Sequence, residues 1–432
     1  MSDVAHANTK MAKTVAVAHI YLWTHLVGAV AEQDDGTVVF EYDPAFRRTG
    51  LGISPIKLPL SLAGPVSFPE LVRVQAFAGL PGVLADSLPD RFGNTIISKY
   101  FAEQGQPDRG FSPVQKLLYI GRRAMGALEF RPAIRVGSTV AEREPLEIAQ
   151  LVNQARQLIE GRVEAVVPEI MRIGASAGGA RAKALVLWNR KTNEVRSAFA
   201  KPHANDEHWL IKFDGVGELD APDPNPQPYN RIEYAYSNMA RDAGIDMPET
   251  RLIEERRLGH FMVRRFDRDG ASRLHLHSLG GLQHVDYNQP GAFSYEQYLR
   301  TVLDLGLAYP ALEEAYRRMV FNLAAVNQDD HVKNFSFLMD ETGKWRLAPA
   351  YDVTYASGHG FTRYHQMTLA GKNTGFTRQD LLSTGAKFGI KHDGARIIEK
   401  VTNALAHWRR YASEAGIQED RAALIETLFR RF

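Results

Sequence analysis

The sequence predicts an α+β protein whose mixed α/β amino-terminal part is followed by a mainly helical carboxy-terminal part. Short apolar segments separated by turn-forming residues fill the amino-terminal part, a pattern that favours strands. From Leu276 onward, apolar residues recur mainly at helical spacing. Between two apolar runs of this second part lies a polar segment, residues 327–334, with two carboxylates, a histidine, a lysine and three side-chain amides.

Length and composition are those of a water-soluble globular protein. A chain of 432 residues is long for one core, which predicts two or three domains. Apolar residues make up 44% and charged residues 24%, and the net charge of +2 does not by itself predict nucleic-acid binding. The lack of cysteine excludes disulfides, thiolate metal sites and cysteine nucleophiles. Neither a run of about twenty apolar residues nor a signal-peptide core is found, so we expect a cytoplasmic protein without membrane contact.

The amino-terminal part is predicted to begin with strands. Alternating apolar residues favour one strand over 14–30, and a turn then leads to a strand over 38–42. Three more elements are expected: an extended segment over 56–60, a helical pattern over 79–102, and a helix end, glycine turn and strand over 117–128.

A segment of small residues, 173–183, has features of a phosphate-binding loop and leads into a strand predicted over 184–188. Small side chains let backbone N–H groups approach a phosphate, and Ser176, Arg181 or Lys183 could add contacts. The spacing of a Walker A loop is absent. A flexible turn is the alternative interpretation.

One lysine, Lys212, lies in the apolar strand predicted over 209–213. A buried lysine needs an anionic partner, and a protein-kinase lysine holds the ATP phosphates from such a strand. Alternatively, Lys212 is the solvent-facing residue of an edge strand. The helix predicted over 231–243 contains Glu233, a possible partner, and a hairpin with strands over 251–254 and 260–265 follows.

Further helices are predicted from their apolar spacing. They cover 144–159, 295–307, 312–326, 377–388, 395–412 and 420–429. His275 and His277 could suggest a metal site, but without nearby acidic residues this spacing favours a structural or substrate-loop role.

The polar segment suits phosphoryl transfer from ATP. That chemistry needs a carboxylate near the accepting hydroxyl and oxygen ligands for magnesium. Asp329 and Asn334 have the spacing of the base and the metal-binding amide of the protein-kinase catalytic loop. Asp352, beyond a predicted hairpin, could be a second metal ligand, and Lys333 could reach a phosphate. A solvated turn between a helix and a hairpin is the alternative.

Taken together, these motifs resemble the HipA family of bacterial toxin-type serine/threonine kinases. They are Ser176–Lys183, Leu210–Lys212, Arg265–Arg268, Asn327–Ser336 and Pro349–Val353, with Leu88–Asp90 and Ile120–Ala127 in the amino-terminal part. The resemblance implies a HipA-like, protein-kinase-like fold. Its expected parts are an amino-terminal subdomain over 1–135, a nucleotide-binding lobe over 136–268 and a helical lobe with the catalytic loop over 269–432.

The resemblance also implies roles and cofactors, namely ATP and Mg²⁺. Asp329 would be the catalytic base, and Asn334 and Asp352 would hold magnesium. Ser176 matches an autophosphorylated serine, whose added charge would switch the kinase off. The expected ATP contacts are Lys212, Phe266, Asp267, His331, Tyr351, Gly178, Gly179 and Lys183.

Three residues depart from the family pattern. Arg181 stands where glutamine is usual, and Arg264 where the best-known members have an acidic residue. Asp330 places a second carboxylate beside Asp329, so the base could be misassigned by one residue.

Family membership would make the chain the toxin of a type II toxin–antitoxin module. The implied partners are a helix-turn-helix, HipB-like antitoxin, operator DNA reached through that antitoxin, and a protein substrate such as an aminoacyl-tRNA synthetase, whose phosphorylation would arrest growth. A pseudokinase or DNA-associated scaffold and a small-molecule kinase are the alternatives, because fold does not determine substrate.

Overall fold

The computed structural model describes residues 16–89, 93–98, 111–132, 148–159, 181–216, 228–255, 257–270, 272–390 and 392–432. Ser176, Gly178 and Gly179, and with them most of the small-residue segment, lie outside the described residues. Two antiparallel sheets and a helical unit make up the described chain, in agreement with the predicted α+β class.

The first sheet has five antiparallel strands in the order β4-β3-β2-β1-β5. The strands are β1 (Val17–Leu22), β2 (His25–Glu32), β3 (Val38–Tyr42), β4 (Val66–Ser67) and β5 (Leu128–Arg131). The prediction of one strand over 14–30 is wrong, because β1 and β2 are joined by a tight turn in which Trp23 has a φ of 52°. Apolar alternation continues on both sides of this turn and therefore hides it.

Three helices accompany this sheet: α1 (Gly82–Ala85), α2 (residues 93–98) and α3 (Pro113–Ile120). A capping box of Ser112 and Gln115 starts α3, and Gly121 with a φ of 55° ends it, as predicted. Residues 55–57 form a turn closed by a Leu58 N–H bond to the Ser54 carbonyl, so the extended segment predicted over 56–60 is wrong.

The second sheet is also antiparallel, in the order β7-β6-β8-β10-β9. Its strands are β6 (Lys183–Asn189), β7 (Val195–Ser197), β8 (Asp206–Lys212), β9 (Thr250–Glu255) and β10 (Leu258–Arg264). Helix α4 (Ile148–Ile159) buries Leu151, Val152 and Ala155 in the core of this sheet. Lys212 therefore lies on a central strand, β8, which excludes the edge-strand alternative.

Helix α5 (Tyr229–Asp242) follows the lysine strand and buries one face in the helical core. The remaining helices are α6 (Leu279–Gln283), α7 (Tyr295–Asp304), α8 (Tyr309–Ala324), α9 (Arg378–Lys387), α10 (Asp393–Leu405), α11 (Trp408–Glu414) and α12 (Glu419–Leu428). The helix predicted over 395–412 is in fact two, α10 and α11. The break at Ala406 and His407 lets Trp408 become fully buried and donate its Nε1–H to the Ala422 carbonyl. No helix in the described parts of the chain is long and apolar enough to cross a membrane.

Short strands complete the helical unit. They are β11 (Arg268–Asp269), β12 (Ser272–Arg273), β13 (His275–Ser278), β14 (Phe293–Ser294), β15 (Ser336–Met339), β16 (Trp345–Leu347) and β17 (Met367–Thr368). β15 and β16 form the predicted hairpin after the polar segment, and β13 pairs with β15.

Buried polar contacts join the first sheet unit to the rest of the molecule. His275 on β13 donates Nε2–H to the Ile53 carbonyl at 2.8 Å, and His277 Nδ1 lies 2.6 Å from an Asp86 carboxylate oxygen. Within the described residues no group of three or more His, Asp or Glu could hold a metal ion. Both histidines therefore have structural partners at the interface, in keeping with the interpretation favoured from the sequence.

Candidate active site

A cavity of about 590 Å³ lies between the second sheet and the helical unit. Nine of the predicted site residues line it: Lys183, Lys212, Phe266, Asp329, His331, Lys333, Asn334, Tyr351 and Asp352. They come from two strands, the segment after β10, the polar segment and the segment after β16. The fold thus brings together residues that are up to 169 positions apart in the sequence (352 − 183).

The polar segment begins where α8 ends in a Schellman-type turn. The Asn327 N–H bonds back to the Asn322 carbonyl at 3.0 Å, and Val326 has a φ of 54°. Positive φ is unusual for a β-branched residue, so the surrounding packing must hold this turn. It directs Asp329 and Asn334 to the cavity, where Asn334 Nδ2–H donates to the Asp329 carbonyl at 2.8 Å. That bond leaves the Asn334 Oδ1 oriented as an acceptor.

The neighbouring carboxylates of Asp329 and Asp330 have different surroundings. Asp330 is fully buried and accepts hydrogen bonds from the Tyr295 hydroxyl, His365 Nδ1 and the Gln366 N–H at 2.6 to 2.7 Å. Asp329 lines the cavity with 40% of its side chain exposed. The geometry therefore favours Asp329 over Asp330 as the group that faces a substrate.

Lys212 lies between two carboxylates. Its Nζ is 2.7 and 2.9 Å from the two oxygens of Glu233 on α5, and it also contacts Asp352. Burial opposes the charge on Lys212, but Asp352 and Glu233 outweigh it and raise the lysine pKa. Although burial also disfavours the Asp352 carboxylate, Lys212 and then Lys183 lower its pKa. The site thus holds a charged lysine and a charged Asp352 side by side.

Although the Asp329 side chain is partly exposed, the cavity shields it from bulk water, and this desolvation raises its pKa above the ordinary value of 3.8. The nearby Asp352 and Asp330 carboxylates add to this, while His331 opposes it. The His331 Nε2 lies 3.8 Å from Asp329 Oδ1. The other ring nitrogen, Nδ1, is buried without a hydrogen-bond partner among the described residues. An orphaned polar atom at a cavity is a candidate ligand contact.

Asp352 has a φ of 51°, in the left-handed region where Asp and Asn occur more readily than most residues. Tyr351 before it donates its hydroxyl to the Lys333 carbonyl at 2.7 Å, and its ring lies 5.7 Å from that of Phe266. These contacts fix the residues around Asp352 against the polar segment.

Apolar side chains also line the cavity. They are Leu210, Met247, Phe261, Val263, Leu276 and Val353. Sequence reasoning missed these residues, because apolar residues on strands look the same whether they face a core or a cavity. The cavity therefore has apolar as well as charged lining residues, as an adenine base with a phosphate chain would require.

Asp267, which was expected beside the nucleotide, is not among the residues that line the cavity. Its carboxylate is fully buried and pairs with Arg265 and Arg268, and it accepts the Gly126 N–H at 2.7 Å. Burial opposes ionisation, but the two guanidinium groups dominate and lower the pKa of Asp267. Asp267 thus anchors the Phe266 segment to the first sheet unit.

The cavity residues fit the magnesium that the family resemblance implies. Mg²⁺ is usually held by one or two protein carboxylates or amides together with phosphate oxygens and water. Asp352 carries a charged carboxylate and Asn334 an available amide oxygen, and both line the cavity, so both are suited to this role.

Comparison with known proteins gives two family matches. A model described as the HipA N-terminal domain matches residues 18–131, and a model described as the HipA-like C-terminal domain matches residues 175–409. A protein from Haemophilus influenzae named "Putative kinase" is 29% identical over 171 residues, which are 35% of this chain and 49% of that protein. "Putative kinase Y4dM" from Sinorhizobium fredii is 23% identical over 385 residues, 83% of this chain and 84% of that protein. The matched region thus spans about half of the first relative and most of the second.

The fold is similar to that of HipA from Shewanella oneidensis MR-1, solved with HipB of the same toxin–antitoxin system and their operator DNA. The TM-score is 0.67 with 16% identity, and the match covers 95% of both chains. At this identity the likeness is evidence for the fold alone, and it confirms the expected HipA-like fold over nearly the whole chain.

Proposed function

The chain belongs to the HipA family, and we propose that it is an ATP- and Mg²⁺-dependent kinase that phosphorylates serine or threonine in a protein. The observation that carries this proposal is the convergence of Asp329, Asn334, Asp352 and Lys212 on one cavity. A purely structural role would not require a carboxylate, an amide, a second carboxylate and a paired lysine around the same space.

Each of these residues has a task in phosphoryl transfer. Asp329 orients the accepting hydroxyl and takes its proton, since it is the carboxylate that faces the cavity. Lys212, held by Glu233, binds the phosphates of ATP. Asn334 and Asp352 would hold the metal ion, which would supply charge neutralisation at the phosphates.

The raised pKa of Asp329 supports its assignment as base. A carboxylate accepts a proton more readily when burial disfavours its charged form, and the neighbouring Asp352 reinforces that effect. Asp352 has the opposite shift, because Lys212 and Lys183 stabilise its charge. Such divergent shifts in neighbouring carboxylates are typical of a division between proton acceptor and metal ligand.

We further propose that the kinase is the toxin of a type II toxin–antitoxin module. The support is family membership and the fold match to a HipA that was solved with HipB and operator DNA. A helix-turn-helix antitoxin would link the chain to DNA. The proposed substrate is a translation-related protein such as an aminoacyl-tRNA synthetase, its phosphorylation would arrest growth, and phosphate on Ser176 would switch the kinase off.

Labelling of a cell lysate tests the proposal. The wild type and Asp329→Asn are incubated with Mg²⁺ and ATP labelled in the γ-phosphate, and label is followed in protein and metabolite fractions. The proposal expects label on protein serine or threonine with the wild type and none with Asp329→Asn. Label confined to metabolites would instead establish the small-molecule kinase, and no label anywhere would favour the scaffold.

A further inference from the structure

The buried carboxylate of Asp330 connects the catalytic segment to two distant parts of the helical unit. Its Oδ2 accepts the Tyr295 hydroxyl from α7 at 2.6 Å and His365 Nδ1–H at 2.7 Å. Its Oδ1 accepts the Gln366 N–H at 2.7 Å. Asp330 is adjacent to Asp329 in the chain, so a shift of this buried carboxylate also shifts the proposed base.

His365 extends the connection to Arg430. The ring is fully buried, and because a guanidinium group can only donate, Nε2 facing Arg430 must accept and Nδ1 carries the proton donated to Asp330. Arg430 supplies the donor, with its Nη1 2.7 Å from His365 Nε2. One continuous chain of hydrogen bonds therefore runs from Arg430 through His365 to Asp330.

Arg430 also completes the end of α8, the helix that leads into the catalytic segment. Its backbone N–H donates to the Ala324 carbonyl at 2.9 Å and its Nη1 to the Leu323 carbonyl at 3.0 Å. The last carbonyls of a helix have no partner within the helix, and a cation there also interacts favourably with the helix dipole. Arg430 thus fixes the end of α8 and, through His365, the side chain of Asp330, which follows the proposed base in the chain.

Further bonds hold the segment before His365 to the catalytic segment. The Gln328 N–H donates to the Ala356 carbonyl at 2.9 Å, and Gln366 Nε2 lies 3.3 Å from the Gln328 carbonyl. Phe361 and Thr362 of this segment line the cavity. Displacement of His365 would therefore reach both Asp329 and these two residues of the cavity lining.

We propose that Arg430 is a positioning residue for phosphoryl transfer and that it acts through His365 and Asp330. Arg430 thereby sets the rate of the transfer step, while the nucleotide-binding wall on the second sheet is unaffected. This inference rests on the proposed kinase function, and small displacements of a catalytic group are costly enough to be measured.

The test compares Arg430→Ala, Arg430→Lys, His365→Asn and, as a matched control, Arg431→Ala at an exposed neighbouring arginine. Steady-state transfer gives kcat and the KM for ATP. We expect kcat to fall roughly 10- to 100-fold in Arg430→Ala with less than a twofold change in KM, partial recovery in Arg430→Lys, and wild-type values in Arg431→Ala. His365→Asn keeps a donor for Asp330 but does not reach Arg430, so it should lose activity while α8 stays capped.

A cycle with the double variant Arg430→Ala/His365→Asn separates a connected chain from independent packing effects. If the residues act in series, the double variant loses no more kcat than the worse single variant. Additive losses, or equal losses in kcat and ATP binding without recovery in Arg430→Lys, would overturn the inference.

Amide hydrogen exchange tests the positioning role of Arg430 independently of activity. Arg430→Ala should speed exchange in residues 327–334 by roughly tenfold while leaving β8 unchanged. Unchanged exchange in 327–334 would overturn the positioning role, even if the chain transfers phosphate. If Arg430→Ala speeds exchange but the wild type itself transfers no phosphate, the positioning role is supported and only the kinase proposal is refuted. Should Arg430→Ala fail to fold, Arg430→Lys and His365→Asn provide the same comparison.

Discussion

The Nζ of Lys212 on β8 lies 2.7 and 2.9 Å from the two carboxylate oxygens of Glu233 on α5. Both side chains are largely buried, and the pair fixes the helix against the central strand of the second sheet. The lysine is thereby held at the cavity with its charge intact, where it also meets Asp352.

Replacing Glu233 with Gln should weaken ATP use without unfolding the chain. Lys212 keeps Asp352 as a partner, so we expect kcat/KM for ATP to fall about tenfold, or about 1.4 kcal/mol of transition-state stabilisation. Glu254→Gln is the control, because Glu254 pairs with Arg231 at the surface. Equal effects of the two substitutions on kcat/KM would count against a role for the Lys212 pair.

The two adjacent carboxylates should respond differently to amide substitution. Asp329→Asn should lower kcat by roughly 100- to 10,000-fold without loss of stability, since it removes the proton acceptor. Asp330→Asn disrupts a buried hydrogen-bonded carboxylate, so about 1–3 kcal/mol of unfolding free energy should be lost. Rate assays measure the change in kcat, and urea unfolding measures the change in unfolding free energy. If Asp330→Asn alone abolished transfer at full stability, the base would be Asp330.

Asp352→Asn should separate metal binding from backbone strain. Asparagine tolerates the left-handed backbone at φ 51°, so the fold should persist while the concentration of Mg²⁺ needed for half-maximal rate rises about tenfold or more. Asp352→Val keeps neither the ligand nor the backbone preference and should lose an additional ~1 kcal/mol of stability. An unchanged magnesium requirement in Asp352→Asn would exclude this residue as a ligand.

The raised pKa of Asp329 has a defined effect on pH dependence. Because the folded protein holds this proton more tightly, the contribution of Asp329 to stability falls as pH rises from 3.8 through the raised folded pKa. The kcat should rise over the same window as the base becomes unprotonated. Asp329→Asn should therefore gain stability relative to the wild type with increasing pH.

Asp340→Asn provides a control of opposite sign. A hydrogen bond from Thr342 lowers the pKa of Asp340, so its stabilising effect is present above 3.8 and is lost as pH falls through the folded pKa. The stability of the wild type should thus increase relative to that of Asp340→Asn as pH rises. Urea unfolding across the pH series measures the stability of each variant relative to the wild type. If this difference changed with pH in the same direction for both variants, the raised pKa assigned to Asp329 would be refuted.

The interface of the first sheet unit can be tested with glycine substitutions. A Cβ at Gly82 would lie 2.0 Å from the Gly281 carbonyl oxygen, so Gly82→Ala should lower the unfolding free energy by about 1–3 kcal/mol. Gly52→Ala is the matched control, since a Cβ there meets no atom within 4 Å. Thermal unfolding curves that coincide for these two variants would show that the close approach is not needed for stability.

Much of the candidate site was predictable because its residues have fixed local spacing. Asp329 and Asn334 are separated by a short loop, and the apolar runs on either side identify the helix and hairpin that hold it. Glu233 was a possible partner of Lys212, because burying an unpaired ammonium group is costly. In each case one local pattern and one electrostatic requirement indicated the residue, while an edge strand for Lys212 and a solvated turn for the loop were the alternatives.

Other features depend on long-range contacts that spacing does not reveal. Asp267 turns away from the cavity because it bonds to Gly126, 141 residues earlier in the chain. Asp330 is buried by His365, 35 residues later, and His365 by Arg430, a further 65 residues on. The turn at Trp23 was concealed for a local reason, because the apolar alternation is the same on the strands before and after it.

Mass spectrometry after incubation with Mg²⁺ and ATP tests the central claim, that this chain transfers phosphate with Asp329 and Asp352. Intact-mass and peptide spectra are compared for wild type, Asp329→Asn and Asp352→Asn, starting from unmodified protein. The account predicts a phosphoryl group on Ser176 of the wild type and on neither variant. A wild type that stays unmodified, or phosphate that persists in both variants, would contradict it.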